Sequence, residues 1–266
     1  MQKTHLVIID PQFDFCNPSG ALFVQGADAD MVRLGDFITR VQDKITAIHI
    51  TLDSHHLIDI AHPVFWKDKD GANVNPFTIV TAKDVDDGVY YTALPSWQKR
   101  AAAYVKSLED NKRYPLCIWP PHCLIGSAGA AVAQPVMDAA LAWQAAKHRT
   151  VNFVTKGSNP WTEHYSAVQA DVPDPQDPST QINTPFIQMI EDADEILVAG
   201  EASSHCLANT VRDIANNFAS DAYVNKLTYL EDAASPVTTF EQFEKDFVDE
   251  MTAKGMKLSK TTEWMV

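Results

Sequence analysis

Cysteine is scarce in this sequence, and basic residues are outnumbered by acidic ones. The four cysteines, at positions 16, 117, 123 and 206, include no CxxC pair. They suit a reducing cytoplasm better than a disulfide framework. The 21 Lys and Arg residues stand against 35 Asp and Glu, for a formal net charge of -14. Such a chain is poorly suited to bind nucleic acid or an anionic membrane surface, because both present phosphates.

Sequence features of several other protein classes are also missing. We find no internal repeat, no phosphate-binding glycine loop, no domain linker and no signal peptide. No apolar run is long enough to span a membrane. The 266 residues are 45% hydrophobic, which predicts one well-packed domain over residues 1–266, located in the cytoplasm. Neither nucleic acid nor a membrane is an expected partner.

The most informative stretch is an apolar run that ends at a glycine and is followed by a cysteine. Residues 196–200 have the length of a buried strand, and apolar residues recur at helical spacing from Leu207. Cys206 therefore lies in the first turn of a helix, where free N–H groups and the helix dipole favour a nucleophilic thiolate. Burial alone would instead raise the pKa of the thiol, and the alternative interpretation is an inert, packed cysteine.

Two further ionisable residues follow apolar runs that predict strands. Asp10 comes directly after Leu6 to Ile9, and Lys156 follows the run 150–154. Open α/β sheets build their sites at the carboxyl ends of their strands, so Asp10 is a candidate base and Lys156 could hold its carboxylate ionised. As alternatives, Asp10 could cap loop N–H groups and Lys156 could be a solvated surface charge.

A carboxylate and several imidazoles follow another predicted strand, residues 47–52. Asp53 and His55 are two residues apart, so in an extended chain their side chains point to the same side, as metal ligands require. Three nearby residues could supply another ligand, although loop histidines are more often solvated: His56, Asp59 and His62.

His122 follows an aromatic residue and two prolines in the segment Trp119 to Cys123. Pro120 and Pro121 have fixed φ angles and hold the loop rigidly before the imidazole. This rigidity suits a metal ligand, although proline-fixed loops also exist for purely structural reasons.

The remaining patterns predict packing elements and loops. Amphipathic helices that pack on the core are predicted around residues 34–41, around 97–108 and at Phe240, Phe243 and Phe247. Residues 81–84 resemble a capping box. One or two short final strands are expected in 222–224 and 226–230, and the Pro- and Asp-rich stretch 171–178 should be a surface loop near the pocket.

Together these motifs resemble the isochorismatase-like cysteine hydrolases and, among them, the nicotinamidases. The matching segments occur in the family's order: IIDPQFDF (8–15), DSH (53–55), WPPHC (119–123), FVTKG (153–157) and the stretch 198–206. Their joint occurrence is far more specific than any one segment. The resemblance spans most of the chain except elaborations near 63–115 and 167–185. It implies an α/β fold with three α/β/α layers and a mainly parallel sheet of about six strands.

The resemblance also implies a role for each site residue. The catalytic triad would be Asp10, Lys156 and Cys206. The ligands of one divalent metal, zinc in the first place with iron or manganese as alternatives, would be Asp53, His55 and His122, with His62 as a further candidate. The substrate pocket would include Phe15, Trp119 and Tyr165. The oxyanion would be bound by the backbone N–H groups of Ala202 and Cys206, next to a cis Glu201-Ala202 bond.

The reaction implied is hydrolysis of nicotinamide, or a close pyridine carboxamide, to the acid and ammonia through a Cys206 thioester. One alternative is a sister cysteine hydrolase that acts on another small amide, such as a carbamoyl or ureido compound. Another is a catalytically idle binding module on the same fold. The filled triad argues against the idle module, and His122 favours nicotinamide, because metal-free sister enzymes have no use for it. We also expect a homo-oligomer.

Glu201 departs from the family, whose members often carry an aliphatic residue at this position beside the active site. An unpaired carboxylate is costly to bury. We therefore expect the Glu201 side chain to reach solvent, a basic group or local hydroxyls.

Overall fold

The computed structural model of the protein describes residues 2–112 and 114–265. Its strands are β1 (Thr4–Ile9), β2 (Ile45–Asp53), β3 (Trp66–Asp68), β4 (Ile79–Val80), β5 (Tyr90–Thr92), β6 (Leu116–Cys117), β7 (Asn152–Lys156), β8 (Glu195–Gly200), β9 (Leu227–Leu230) and β10 (Lys257–Ser259). Within the described ranges, six of these strands form one parallel sheet in the order β10-β9-β8-β1-β2-β7.

Helices flank this sheet and complete a three-layer α/β/α architecture. They are α1 (Phe13–Cys16), α2 (Ala27–Val41), α3 (Ala82–Asp86), α4 (Gln98–Asp110), α5 (Gln134–Lys147), α6 (Thr184–Glu191), α7 (Cys206–Asn217) and α8 (Glu241–Ala253). Helix α2 packs on α5, and α7 packs on α8. None of the helices in the described part of the chain combines the length and apolar content needed to cross a membrane.

The centre of the sheet explains why polar residues gather at one edge. Strand β1 is buried along its whole length, and its last four residues are the apolar run that predicts a strand covered on both faces. Its last residue, Ile9, pairs with Gly200 of β8, and at the end of β2 Asp53 pairs with Lys156 of β7. The carboxyl ends of four neighbouring strands therefore meet at the same edge of the sheet.

Gly200 allows β8 to end tightly against β1. Its φ angle is +108°, which side chains other than glycine rarely adopt. A Cβ atom built at this position would lie 2.1 Å from the Ile9 carbonyl oxygen. Only glycine therefore permits this close approach, from which the chain turns toward Cys206.

The predicted parallel sheet of about six strands is confirmed, with differences at its margins. The strand predicted from the run 150–154 is β7. It begins at Asn152 and extends to Lys156, which is therefore its last residue. Residues 222–224 lie in the 3-10 turn Asp221–Lys226, and the strand expected in 226–230 is β9, which follows that turn. Helix α5 and the edge strand β10 were not predicted, because α5 is alanine-rich with a weak apolar stripe and β10 is largely exposed.

The elaboration predicted near 63–115 contains two small antiparallel pairs, β3 with β5 and β4 with β6, together with α3 and α4. Residue 113 falls in this segment and lies outside the described residues. The predicted capping box at the start of α3 is confirmed, because Thr81 and Asp84 each accept from the other's backbone N–H. This elaboration leads through β6 into the loop that carries His122.

Candidate active site

Cys206 is the first residue of α7, as the sequence predicted, and it is buried. Burial raises the pKa of its thiol well above the usual value, more than the neighbouring Lys156 lowers it. The prediction that burial would raise this pKa is confirmed, and the favourable effect of the helix start on the thiolate stays a prediction. A neighbouring base has to remove the proton before the sulfur can act as a nucleophile.

Lys156 connects this thiol to Asp10. The Lys156 Nζ atom lies 2.9 Å from Asp10 Oδ2 and 3.6 Å from Cys206 Sγ. All three side chains are buried. Burial lowers the pKa of the ammonium, but the nearby carboxylates outweigh it and keep the pKa well above the usual value. The structure thus brings the three predicted residues together around one buried positive charge.

Asp10 is held in place by a residue that the sequence analysis missed. Thr51 Oγ1 lies within β2, donates to Asp10 Oδ1 at 2.5 Å and accepts the Asp10 N–H at 2.9 Å. Burial raises the pKa of the Asp10 carboxyl, and Lys156 opposes this shift. Thr51 and Lys156 take one carboxylate oxygen each and so fix the plane of the carboxyl group.

Asp53 is placed by a side chain that follows β1. Gln12 donates from Nε2 to the Asp53 carbonyl oxygen at 2.8 Å and accepts the Asp53 N–H at 2.7 Å. Gly157 provides the space next to it, because its φ angle is +81° and a Cβ there would lie 2.6 Å from Asp53 Oδ1. That oxygen contacts Lys156 Nζ at 3.1 Å, so Asp53 joins the triad to the neighbouring histidines.

The ligand atoms of Asp53, His55 and His122 all lie within 4.8 Å of one another. Asp53 Oδ2 is 3.1 Å from His55 Nε2 and 3.6 Å from His122 Nε2. Burial raises the pKa of Asp53, but His55 and Lys156 outweigh it and hold the pKa well below the usual value. One ionised carboxylate and two imidazole nitrogens thus converge from three segments of the chain, as in divalent-metal sites.

The imidazole rings are oriented by acceptors at their Nδ1 atoms. His55 Nδ1 lies 3.0 Å from Asp59 Oδ2, and His122 Nδ1 lies 2.8 Å from the Pro120 carbonyl oxygen. Both contacts leave Nε2 free for a metal, and metal-binding histidines are usually oriented in this way. Asp59 was considered from the sequence as a metal ligand, but it contacts the far side of the His55 ring and orients that ligand instead.

His62 lies beside the other two rings. Its centroid is 5.2 Å from that of His55 and 5.6 Å from that of His122. Its Nδ1 faces the Leu57 carbonyl oxygen at 3.2 Å, while its buried Nε2 has no hydrogen-bond partner among the described residues. Such an unpartnered buried nitrogen fits a site built for an ion. His56, in contrast, is exposed and lies outside this cluster.

The turn before Cys206 contains the predicted cis Glu201-Ala202 peptide bond, so that prediction is confirmed. The Ala202 carbonyl oxygen accepts the N–H groups of His205 and Leu207. Among the hydrogen bonds within residues 2–112 and 114–265, none has the Ala202 or Cys206 N–H as its donor. Whether these two groups converge on an oxyanion stays a prediction.

A cavity of about 30 Å³ opens beside Cys206. The three aromatic residues predicted for the pocket, Phe15, Trp119 and Tyr165, all line it. Trp119 Nε1 donates to the Tyr165 hydroxyl at 2.9 Å and links two of them. Two polar lining residues, Glu163 and His205, were missed. Aromatic walls with a few polar groups are typical of sites for small ring compounds.

The chain resembles several solved structures. A nicotinamidase/pyrazinamidase from Acinetobacter baumanii matches with a TM-score of 0.65 and 18% identity, over 98% of this chain and 98% of that one. A pyrazinamidase from Pyrococcus horikoshii in complex with zinc matches with a TM-score of 0.55 and 17% identity, over 97% and 99%. An isochorismatase-family protein from Desulfovibrio vulgaris matches with a TM-score of 0.52 and 15% identity, over 98% and 96%. The chain has the isochorismatase-like hydrolase fold.

No protein-family model and no curated protein matches the sequence. The solved structures thus establish the isochorismatase-like fold, and the chemistry has to be argued from the side chains. Function differs widely among proteins that share a fold, so it follows from the site.

One residue of this isochorismatase-like site departs from expectation. Glu201 is fully buried, accepts the Ser235 N–H at 3.0 Å, and faces the carboxyl group of Asp30. The expectation that it would reach solvent, a basic group or local hydroxyls is therefore wrong. Its acidic neighbour comes from α2, about 170 residues away in sequence, and such a contact leaves no local sequence signal.

Proposed function

We propose that this chain is an amidohydrolase of the nicotinamidase type with Cys206 as its nucleophile. The observation that carries the proposal is that Lys156 contacts both Asp10 and Cys206 while Asp53 contacts Lys156 and two histidines. A nucleophile, a base and a candidate metal centre are therefore in contact beside one small cavity, which Cys206, Asp53 and His122 line. This combination suits an attack on a small amide whose other end is held by the metal.

Asp10 would act first as a base and then as an acid. It accepts the Cys206 proton as the sulfur attacks the amide carbon, and returns that proton to the departing ammonia. The product of this step is a thioester on Cys206. Asp10 then takes a proton from water, the water oxygen attacks the thioester carbon, and the acid leaves as the thiol regains its proton. Lys156 stabilises the ionised carboxylate before each proton transfer.

The turn that precedes Cys206 would stabilise the tetrahedral intermediates. The N–H groups of Ala202 and Cys206 have no other acceptor among the described hydrogen bonds, which supports their use as oxyanion donors. Removal of one such donor in other enzymes typically costs about 10²–10³ in kcat.

The residues that would hold the metal are Asp53, His55 and His122, with His62 as a candidate fourth ligand. The convergence of the ligand atoms of the first three residues and the unpartnered Nε2 atom of His62 support this assignment. Zinc is our first choice, because one carboxylate with imidazoles suits it and the Pyrococcus horikoshii pyrazinamidase was solved with zinc. A bound divalent ion would supply a Lewis acid that holds a ring nitrogen of the substrate. Asp59 would keep His55 in the tautomer that binds it.

An ammonia-release assay across a panel of small amides tests the proposal. We expect nicotinamide and pyrazinamide to be hydrolysed with kcat/KM of at least about 10⁴ M⁻¹s⁻¹, an ordinary enzymatic value. Carbamoyl and ureido compounds should be at least about 100-fold poorer. The reverse order would favour the sister hydrolase, and no turnover of any amide by metal-loaded protein would favour the idle binding module.

Thr51→Val should lower kcat by about 10–100-fold with little change in KM. Valine keeps the shape but loses the hydrogen bond to the Asp10 carboxylate, and a bond to a charged group contributes about 1.5–3 kcal/mol. Thr46→Val is the matched control, because Thr46 lies on the same strand and its hydroxyl donates only to the Thr4 carbonyl oxygen. A kcat for Thr51→Val within twofold of wild type would show that Thr51 does not position the base.

A further inference from the structure

The cis bond of the nucleophile turn lies between Ala202 and a residue that is completely buried, Glu201. The Glu201 N–H donates to the Ile9 carbonyl oxygen at 2.7 Å, which ties the turn to the end of β1. Its side chain leaves the substrate cavity and enters the space between α2 and the loop 233–235, where it meets Asp30 and Ser235.

Ser235 contacts both carboxyl groups. Its N–H donates to Glu201 Oε2 at 3.0 Å, and its hydroxyl donates to Asp30 Oδ2 at 2.6 Å. The same loop holds the turn by backbone bonds, from the Gly200 N–H to the Ala233 carbonyl at 2.9 Å and from the Ser203 N–H to the Ser235 carbonyl at 3.0 Å. The two carboxyl groups and this loop therefore form one connected structure around the turn.

Hydrogen-bond donors are too few for two carboxylates in this space. Asp30 is 2% exposed and is paired with Arg33. The carboxyl group of Glu201 contacts that of Asp30, yet Glu201 Oε1 receives no hydrogen bond from any N–H or O–H group of the described residues. Two carboxylates are both acceptors, so this contact is a hydrogen bond only if one of them carries a proton. Because Arg33 neutralises Asp30, the protonated partner is Glu201.

We propose that Glu201 and Asp30 share one proton and act as positioning residues, which hold the nucleophile turn against the loop 233–235. Glu201 then donates its O–H to Asp30 and accepts the Ser235 N–H, while Ser235 donates to Asp30. The part of this inference that concerns catalysis rests on the proposed function, since that function makes Ala202 an oxyanion donor. The shared proton rests on the contacts alone.

The charges around the pair favour the proton. Burial raises the pKa of Glu201 well above its usual value, and Asp30 raises it further. The other titratable groups that act on the pair from neighbouring elements are Cys16 of α1, Arg33 of α2, Tyr229 of β9 and Glu244 of α8. Within this set only Arg33 is a base, and it is already bound to Asp30.

The sign of the pH effect follows from the raised pKa. Between the pKa of an unfolded glutamate, about 4.3, and the higher value in the fold, the folded protein binds more protons than the unfolded chain. The contribution of Glu201 to stability is therefore complete below pH 4 and declines as the pH rises through that interval.

Thermal unfolding of Glu201→Gln and wild type between pH 4.5 and 9 tests the shared proton. Glutamine imitates the protonated acid, so the two melting temperatures should be similar at pH 4.5. The melting temperature of the variant should be about 3 °C or more above that of wild type at pH 8, where ionisation of the buried Glu201 carboxyl group destabilises only the wild-type fold. Asp28 is an exposed carboxylate on α2, the helix of Asp30. The melting temperature of Asp28→Asn relative to wild type should show no such trend with pH. A Glu201→Gln protein less stable than wild type at pH 8 would overturn the proposal.

Steady-state kinetics with nicotinamide test the positioning role. Glu201→Gln should keep kcat within about twofold of wild type at pH 7, and its kcat relative to wild type should rise with pH. Glu201→Leu, which loses the contacts to Ser235 and Asp30, should lower kcat by about tenfold with KM within twofold. Equal kcat for all three proteins at every pH would remove the positioning role. Wild type without amidase activity would refute the proposed function instead, and the melting series would still decide whether the proton is shared.

Discussion

Cys206→Ala is expected to abolish amide hydrolysis, with kcat reduced by about 10⁴-fold or more, while the fold remains intact. Loss of a nucleophile in a concerted triad typically has effects of this size or larger. Cys206 is small and its replacement by alanine removes only the sulfur atom, so the melting temperature should change little. Ammonia release measures the loss of kcat, and thermal unfolding followed by circular dichroism measures the melting temperature.

Cys117→Ala is the matched control for this experiment. Cys117 is also a buried thiol, but it lies on β6 and donates to the neighbouring Ile118 carbonyl oxygen, at 3.9 Å. Burial raises the pKa of its thiol to about 12. The control should keep activity within about threefold of wild type. Residual turnover by Cys206→Ala within tenfold of wild type would mean that another group is the nucleophile.

The second large effect is expected for the candidate metal centre. Purified or reconstituted wild type should contain about one divalent ion per chain, and His122→Ala should retain less than about a tenth of that after dialysis. Its amidase activity should fall by at least about 100-fold. The loss follows because two ligands cannot hold an ion as firmly as three. Metal content, measured by elemental analysis, gives a result that does not depend on activity.

Two further variants distinguish the metal ligands from residues that lie next to them. Asp59→Asn should weaken metal affinity by about 10–100-fold, because it changes the group that orients His55 rather than a ligand. His56→Ala removes an exposed imidazole next to His55 and should leave metal content unchanged. Wild type that stays substoichiometric after reconstitution with zinc, iron and manganese would indicate a metal-free sister enzyme. It would also remove the main argument for nicotinamide.

The outline of the fold could be predicted because the central strands are unusually uniform. The runs 6–9 of β1 and 196–200 of β8 are buried and contain no polar side chain, so both strands have an abrupt change of polarity at their carboxyl ends. The edge strand β10 has no such contrast, and the alanine-rich α5 has only a weak stripe. Both were missed because a periodic pattern needs large apolar residues on one side and polar residues on the other.

The gathering of Asp10, Asp53, Lys156 and Cys206 at one place was also predictable from the sequence. Each follows or ends a strand or begins the helix after one, and parallel strands bring such positions to a common edge. Their partners were not predictable in this way. Thr51 looks like an ordinary β-branched residue inside a strand, and it reaches Asp10 only because of the register between β1 and β2.

The sequence by itself determined a parallel α/β sheet, the chain order of its polar strand ends and a cysteine at a helix start, because these depend on neighbours only a few residues apart. The tertiary structure alone decided that Cys206 is buried and in contact with Lys156, since both depend on segments that are distant in the sequence. It also decided the partner of Glu201. A side chain that was expected to reach solvent or a basic group is enclosed with Asp30, because the packing of α2 and the loop 233–235 against the turn leaves no path to water.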